Sequence, residues 1–220
     1  MGKIYVFSDI HGCYEAFQKL LLRLSPVPGD DLLVFLGDYI DRGPDSRKVV
    51  EEIIRLGSRY RVITLMGNHE KMFLDSLSGG INLTYYLGLG GQQTLASYGI
   101  SEKNFGNIGQ YLSSRHLLFF QNLLPYWENE KYIFVHAGLR PAVHLSQQST
   151  RDLLLIRDEF IDSGYDFGKR IIFGHTPFKK PLVKSNKIGI DTGAVYGGHL
   201  TCLILPDLDF VRVAGSNAWD

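Results

Sequence analysis

The chain has 220 residues, 45% of them hydrophobic and 21% charged, which excludes a disordered or fibrous chain and gives length for one core-forming domain over 1–220. Lysine plus arginine equals aspartate plus glutamate at 23 each, so neither a broad basic footprint for nucleic acid nor a polybasic membrane anchor is expected. Two cysteines make no disulfide framework, no apolar run reaches membrane-span length, and the opening MGKIYVFSDIHG lacks a signal-peptide pattern; a cytoplasmic setting without membrane contact is the expectation.

Residues 3–7 (KIYVF) read as a buried strand, because β-branched and aromatic residues run on without polar alternation. Tyr14, Phe17, Leu20, Leu21 and Leu24 then fall at helical spacing and form one apolar stripe. Pro26, Pro28 and Gly29 end that helix. Residues 31–36 (DLLVFL) predict a second strand, 46–56 a second helix, and 61–66 (RVITLM) a third strand. The stretch 76–109, rich in Gly and containing GGQQTLASYG, reads as a mixed helix and loop insertion that could rim a shallow groove. Two more buried strands are predicted at 132–135 (YIFV) and 170–173 (RIIF). The last runs, 188–191, 200–205 and 210–213, are joined by turns such as PDLD and read as antiparallel strands of a second sheet.

The first three strands each end in a polar motif: SDIHG, GDYIDRG and GNHE. Asp9 and Asp38 stand 29 positions apart, and Asp38 and Asn68 stand 30 apart. About 30 residues is one βαβ unit, so right-handed crossovers bring all three loops to the carboxyl edge of one parallel sheet. Two later strands end in VHAG and FGH, which bring His136 and His175 as further donors. Asp9 and His11 share one loop, Asp38 has two oxygens with which to bridge two ions, and Asn68 offers an amide oxygen. This thiolate-free mixture of carboxylate, imidazole and amide suits two divalent ions of Mn, Fe or Zn better than calcium. Such a pair activates water and grips a phosphate.

Together these motifs resemble the calcineurin-like metallophosphoesterases. Within them they resemble the serine/threonine phosphoprotein phosphatases of the small bacterial and phage lambda type, from about Asp9 to about Gly198. HAG or FGH alone means little, whereas GDYIDRG followed by GNHE at this spacing is specific. The resemblance implies an α/β fold of two packed mixed β-sheets flanked by helices, with the metal site at the carboxyl edge. It also implies that Asp9 and His11 bind one metal, that Asn68, His136 and His175 bind the other, and that Asp38 bridges. Manganese is the leading ion. His69 matches the residue that protonates the leaving alkoxide, with Asp41 as its partner. Arg42 matches a phosphate-holding arginine, and Arg157 stands where a second is expected.

Elementary chemistry agrees: an alkoxide needs a proton to leave, a His beside a carboxylate supplies one, and an arginine fork fits two phosphate oxygens. Attack by a metal-bound hydroxide needs no side-chain nucleophile. The expected substrates are phosphoserine and phosphothreonine proteins or peptides. One alternative is a symmetrical dinucleoside tetraphosphate hydrolase of the same superfamily. The other is a catalytically dead scaffold, disfavoured because every ligand and His69 are present.

Taken singly, the residues have plainer readings. An Asp after a strand is ordinarily a cap or turn former, and Asp41 with Arg42 could be a surface ion pair of little energy. Arg157, beside Asp158 and Glu159, could equally be a solvated helix residue. His116, His144 and His199 read as surface or core histidines. Cys13 reads as a buried structural thiol, and Tyr196 as packing or as a site-lining residue.

Overall fold

The computed structural model describes residues 2–101, 103–104 and 110–216. Positions 102 and 105–109 of the Gly-rich stretch lie outside them. In chain order the strands are β1 (Ile4–Phe7), β2 (Leu32–Phe35), β3 (Arg61–Thr64), β4 (Tyr126–Glu128), β5 (Tyr132–Val135), β6 (Arg170–Phe173), β7 (Leu182–Val183), β8 (Lys187–Gly189), β9 (His199–Leu205) and β10 (Asp209–Ala214). The helices are α1 (Tyr14–Leu22), α2 (Ser46–Gly57), α3 (Asn68–Leu77), α4 (Leu83–Tyr86), α5 (Gln92–Ser97), α6 (Ser114–Gln121), α7 (Thr150–Leu155) and α8 (Asp158–Ile161). A wide turn, Leu87–Gly91, joins α4 to α5.

The strands form two mixed sheets, ordered β10-β9-β1-β2-β3 and β4-β5-β6-β8-β7. Strands β1, β2 and β3 run parallel, with Ile4 opposite Leu32 and Leu32 opposite Arg61. Strands β5, β6 and β8 run parallel in the other sheet. The continuous apolar runs are explained by burial on both faces. Val6 and Val34 point to the layer between the sheets, where they join Phe134, Ile172 and Leu203. Phe7 and Phe35 point outward, stacked at 4.5 Å, against Phe17 of α1 and Val49 of α2. In the second sheet Ile133 and Phe173 face outward to Leu153 of α7 and Phe160 of α8. Each buried aromatic of this kind contributes roughly 2–3 kcal/mol of apolar transfer.

The C-terminal runs divide differently from the sequence expectation. Strands β9 and β10 are antiparallel to each other but extend the first sheet, with β9 pairing against β1. Only β8 joins the second sheet, and it lies parallel to β6. The sequence pattern showed a meander of short strands but not its destination, because the apolar faces of β9 suit either sheet. The first helix ends at Leu22, before the prolines, although Leu24 is still buried. None of the described helices is long and apolar enough to cross a membrane.

Candidate metal centre and active site

The loops after β1, β2, β3, β5 and β6 converge at one place, the carboxyl ends of both sheets. Among the described residues, seven other than glycine have positive φ, and five of them are site residues: His11, Asp38, Asp41, Arg42 and His175, at φ 46–71°. Left-handed backbone costs about 1–3 kcal/mol per residue and persists only where surroundings enforce it. Here the enforcing contacts can be named. Glu70, at the start of α3, accepts hydrogen bonds from the backbone N–H groups of Asp38 (2.8 Å), Tyr39 (2.8 Å), Ile40 (3.2 Å) and Gly67 (3.1 Å). One carboxylate thus straps the turn after β2 to the turn after β3. A side chain at Gly67 would collide with Asp38, and one at Gly174 with Asp9, so both turns need glycine for close approach.

Of the predicted ligand residues, His11, Asp38, His136 and His175 fall into two clusters, and the first also contains His69, read from the sequence as the proton donor. The donor atoms of His11, Asp38 and His69 form one trio and those of Asp38, His136 and His175 another, all within 4.8 Å of one another in each. Asp38 belongs to both. The His11 ring nitrogen Nε2 is 3.4 Å from Asp38 Oδ2, and His136 Nε2 is 3.5 Å from Oδ1. Asp9 falls in neither trio; its two oxygens accept from the His175 N–H at 3.1 and 3.0 Å. Asn68 Oδ1 lies 3.0 Å from His136 Nε2.

The hydrogen-bond pattern fits cations. His11 donates through Nδ1 to the Ile40 carbonyl (2.8 Å) and His136 through Nδ1 to the Leu36 carbonyl (2.9 Å). Each Nε2 is therefore left with a lone pair facing inward. The lone pairs of His136 Nε2 and Asn68 Oδ1 then face each other with no proton between them. His175 Nε2 is buried and has no hydrogen-bond partner. Arg42 Nη1 reaches only the His11 nitrogen, and the remaining convergence of Asp38, Asn68, His136 and His175 acceptors is what a divalent ion would satisfy. Burial pushes His11 down to about 4 and His175 down to about 2, and it lowers His136 too, so all three imidazoles stay neutral and available as ligands. Burial, then the charges of Asp191 and Asp38, push the Asp9 carboxyl well above its usual range.

His69 of the first trio also belongs to a buried dyad, its Nδ1 2.7 Å from Asp41 Oδ2. Because the carboxylate oxygen accepts, the shared proton sits on Nδ1, leaving Nε2 to exchange a proton with whatever occupies the site. Arg42 Nη1 donates to His11 Nε2 at 2.6 Å. A pocket of about 290 Å³ opens over the centre, lined by Asp38, Arg42, Asn68, Arg157, His175, Pro177, Asp191 and Tyr196. Arg157, solvent-exposed at the start of α8, thus reaches the site, and so does the half-exposed Tyr196, whose ring centre is 5.4 Å from the Arg42 guanidinium. A larger recess of about 470 Å³ near Tyr14 and Lys48 gathers none of these ligands; donor chemistry, not volume, marks the site.

The other histidines lie elsewhere. His116 is buried between Tyr98 and Glu51, while His144 and His199 are exposed. Cys13 is buried, and burial raises its thiol, as befits a structural role. Sequence reasoning missed Asp191, a buried carboxyl in the pocket that burial pushes up to about 6. The available signal was IGIDTG, an apolar run ending in Asp like the others. It also missed Tyr86 and Thr94, which reach Asp41 from the Gly-rich stretch and back the dyad.

The chain is 29% identical to a protein named asymmetrical bis(5'-nucleosyl)-tetraphosphatase PrpE from Anoxybacillus flavithermus, over 94% of this chain and 92% of that one. It is 30% identical to the protein of that name from a Geobacillus strain, over 97% and 95%. Among solved structures, one provisionally described as a diadenosine tetraphosphatase matches with a TM-score of 0.76 at 24% identity, over 98% and 95% of the two chains. A yeast protein serine/threonine phosphatase matches with a TM-score of 0.62 at 16% identity, over 98% and 80%, a likeness of fold. The family model of calcineurin-like phosphoesterases spans residues 2–205, and with two sheets converging on this donor set the chain belongs to that family.

Proposed function

We propose that this phosphoesterase hydrolyses dinucleoside tetraphosphates asymmetrically. The observation that carries the reading is Tyr196, an exposed ring at the lip of a pocket otherwise built to hold phosphate. Stacking of a base on an aromatic ring is worth about 1–3 kcal/mol and is indifferent to base identity. The full-length similarity to proteins named asymmetrical bis(5'-nucleosyl)-tetraphosphatase supports it. In this reading Asp9, His11, Asp38, Asn68, His136 and His175 hold two divalent ions, manganese foremost. The ions would supply an activated water and charge neutralisation at phosphorus. Arg42 and Arg157 grip oxygens of the phosphate under attack and fix its orientation. His69 Nε2 faces the departing oxygen, and Asp41 keeps the His69 proton on the correct nitrogen. We assign its work to the cytoplasm, consistent with two buried free thiols.

The intact His69–Asp41 dyad favours a second reading, hydrolysis of phosphoserine and phosphothreonine peptides. A nucleotide leaves readily, whereas a serine or threonine alkoxide needs the proton that this dyad can deliver. The discriminating experiment compares kcat/KM for diadenosine tetraphosphate with that for the best phosphopeptide, with Mn supplied, and identifies the nucleotides released. We expect the dinucleotide to be favoured by about a hundredfold or more and to yield ATP and AMP. Two molecules of ADP would mean symmetrical cleavage, and a preference for peptides would return the protein phosphatase reading.

A further inference from the structure

The segment from α4 through the wide turn to α5 holds no candidate metal ligand, yet three of its residues close on the loop after β2. Tyr86 donates its hydroxyl to Asp41 Oδ1 at 2.8 Å, and Thr94 donates to the same oxygen at 2.6 Å. The Asp41 N–H donates to Thr94 Oγ1 (2.8 Å) and to Ser46 Oγ (3.1 Å), and the Arg42 N–H donates to the Gly90 carbonyl (3.0 Å). Tyr86, Thr94, Asp41 and Ser46 are all fully buried. The close approach of the turn depends on Gly90, which has φ 105° and where a Cβ would fall 2.7 Å from the Arg42 backbone nitrogen.

The hydrogen bonds can be assigned uniquely. Thr94 has one proton and gives it to Asp41, so its contact with Ser46 Oγ (3.0 Å) must take the proton of Ser46. The Tyr86 phenol, which burial raises well above its ordinary range, stays a donor. Oδ1 of Asp41 is thereby filled by two hydroxyls, and Oδ2 is left for the His69 ring nitrogen. The carboxylate cannot rotate without breaking three bonds, and the left-handed pair Asp41–Arg42 is held at both amides.

We propose that Tyr86 and Thr94 are positioning residues that lock the Asp41 carboxylate, and through it aim His69 for proton delivery to the leaving group. The claim rests on the role proposed for His69 and concerns neither metal retention nor phosphate grip.

The test uses Tyr86→Phe, Thr94→Val and their double variant in the full chain with Mn supplied, with Thr94→Ser as the conservative control and His69→Asn as the reference. Each is assayed on p-nitrophenyl phosphate, whose leaving group departs without a proton, and on phenyl phosphate, whose leaving group needs one. The readout is the ratio of the two kcat/KM values in one preparation, so a loss of folded protein cancels. The double variant should lose about tenfold more on phenyl phosphate than on p-nitrophenyl phosphate, a part of the about 10²–10⁴ available to a general acid, while Thr94→Ser keeps the wild-type ratio. If His69→Asn changes the ratio and the double variant does not, the positioning claim is overturned and the His69 role stands. If His69→Asn leaves the ratio unchanged, the His69 role falls and takes the positioning claim with it.

Discussion

The middle of the two sheets and their carboxyl edge are built from the same strands by opposite rules. In the middle, Val6, Val34, Phe134, Ile172 and Leu203 fill the space between the sheets with apolar contact alone. A few residues on, the same strands turn into left-handed backbone, buried carboxylates and buried imidazoles. The middle contributes stability, and the edge consumes it in strained backbone and buried polar groups. Changes in the two places should therefore separate activity from stability.

The largest effect is expected at the edge. Asp38→Asn keeps an oxygen for the His69 N–H (3.1 Å in the wild type) but halves the bridge, so both ions should bind weakly and turnover should fall by about 10³ or more. Metal analysis of the purified variant beside its kinetics decides; two tightly held ions with full activity would remove Asp38 from the bridge. In the core, the expected effect has the opposite character. Phe35→Ala deletes a ring stacked on Phe7 and packed edge-on to Phe17, costing about 3–5 kcal/mol by urea unfolding. The folded fraction should retain wild-type metal content and kcat; a catalytic defect larger than the loss of folded protein would show that the two regions are not separable.

A smaller effect tests a third kind of burial. Lys187, the first residue of β8, is almost wholly buried; its ammonium donates to the carbonyls of Phe160 and Ser163, and among the described residues it forms no ion pair, Asp162 acting on it only from a distance. Burial pushes it down from 10.5 to about 8. Between these values the folded chain binds fewer protons than the unfolded one, so stability rises with pH across the window; below about 8 the cost of burying the charge is carried in full. Relative to Lys187→Met, the wild type should gain about 1–2 kcal/mol between pH 8 and pH 10, read from urea unfolding at each pH. A flat difference would mean that the ammonium is effectively solvated.

The donor set was legible in the sequence because parallel βαβ units turn a spacing of about 30 residues into a shared edge. Strand boundaries at 132–135 and 170–173 were legible because both faces of those strands are apolar. The placement of β9 and β10 was not, since a run apolar on both faces can close either sheet. The clamp on Asp41 was also hidden. Tyr86 and Thr94 lie 45 and 53 positions beyond Asp41, in a glycine-rich stretch whose composition reports turns and says nothing about where two hydroxyls point. Arg157 and Tyr196 could not be decided from their neighbours, because only the pocket shows which way they face.

The hydrogen bonds at the edge also cross from one sheet to the other. His136, which follows β5, donates to the carbonyl of Leu36, which follows β2. His175, which follows β6, donates its N–H to Asp9, which follows β1. The candidate ligands His136, His175 and Asp9 are thus rivets through both plates of the molecule, so neither plate can loosen without disturbing the other's edge. Ions that bind only the riveted form would draw the two sheets into a single melting unit. In hydrogen exchange, the amides of β1 and β6 should then slow together as metal is titrated in, although they lie in different sheets.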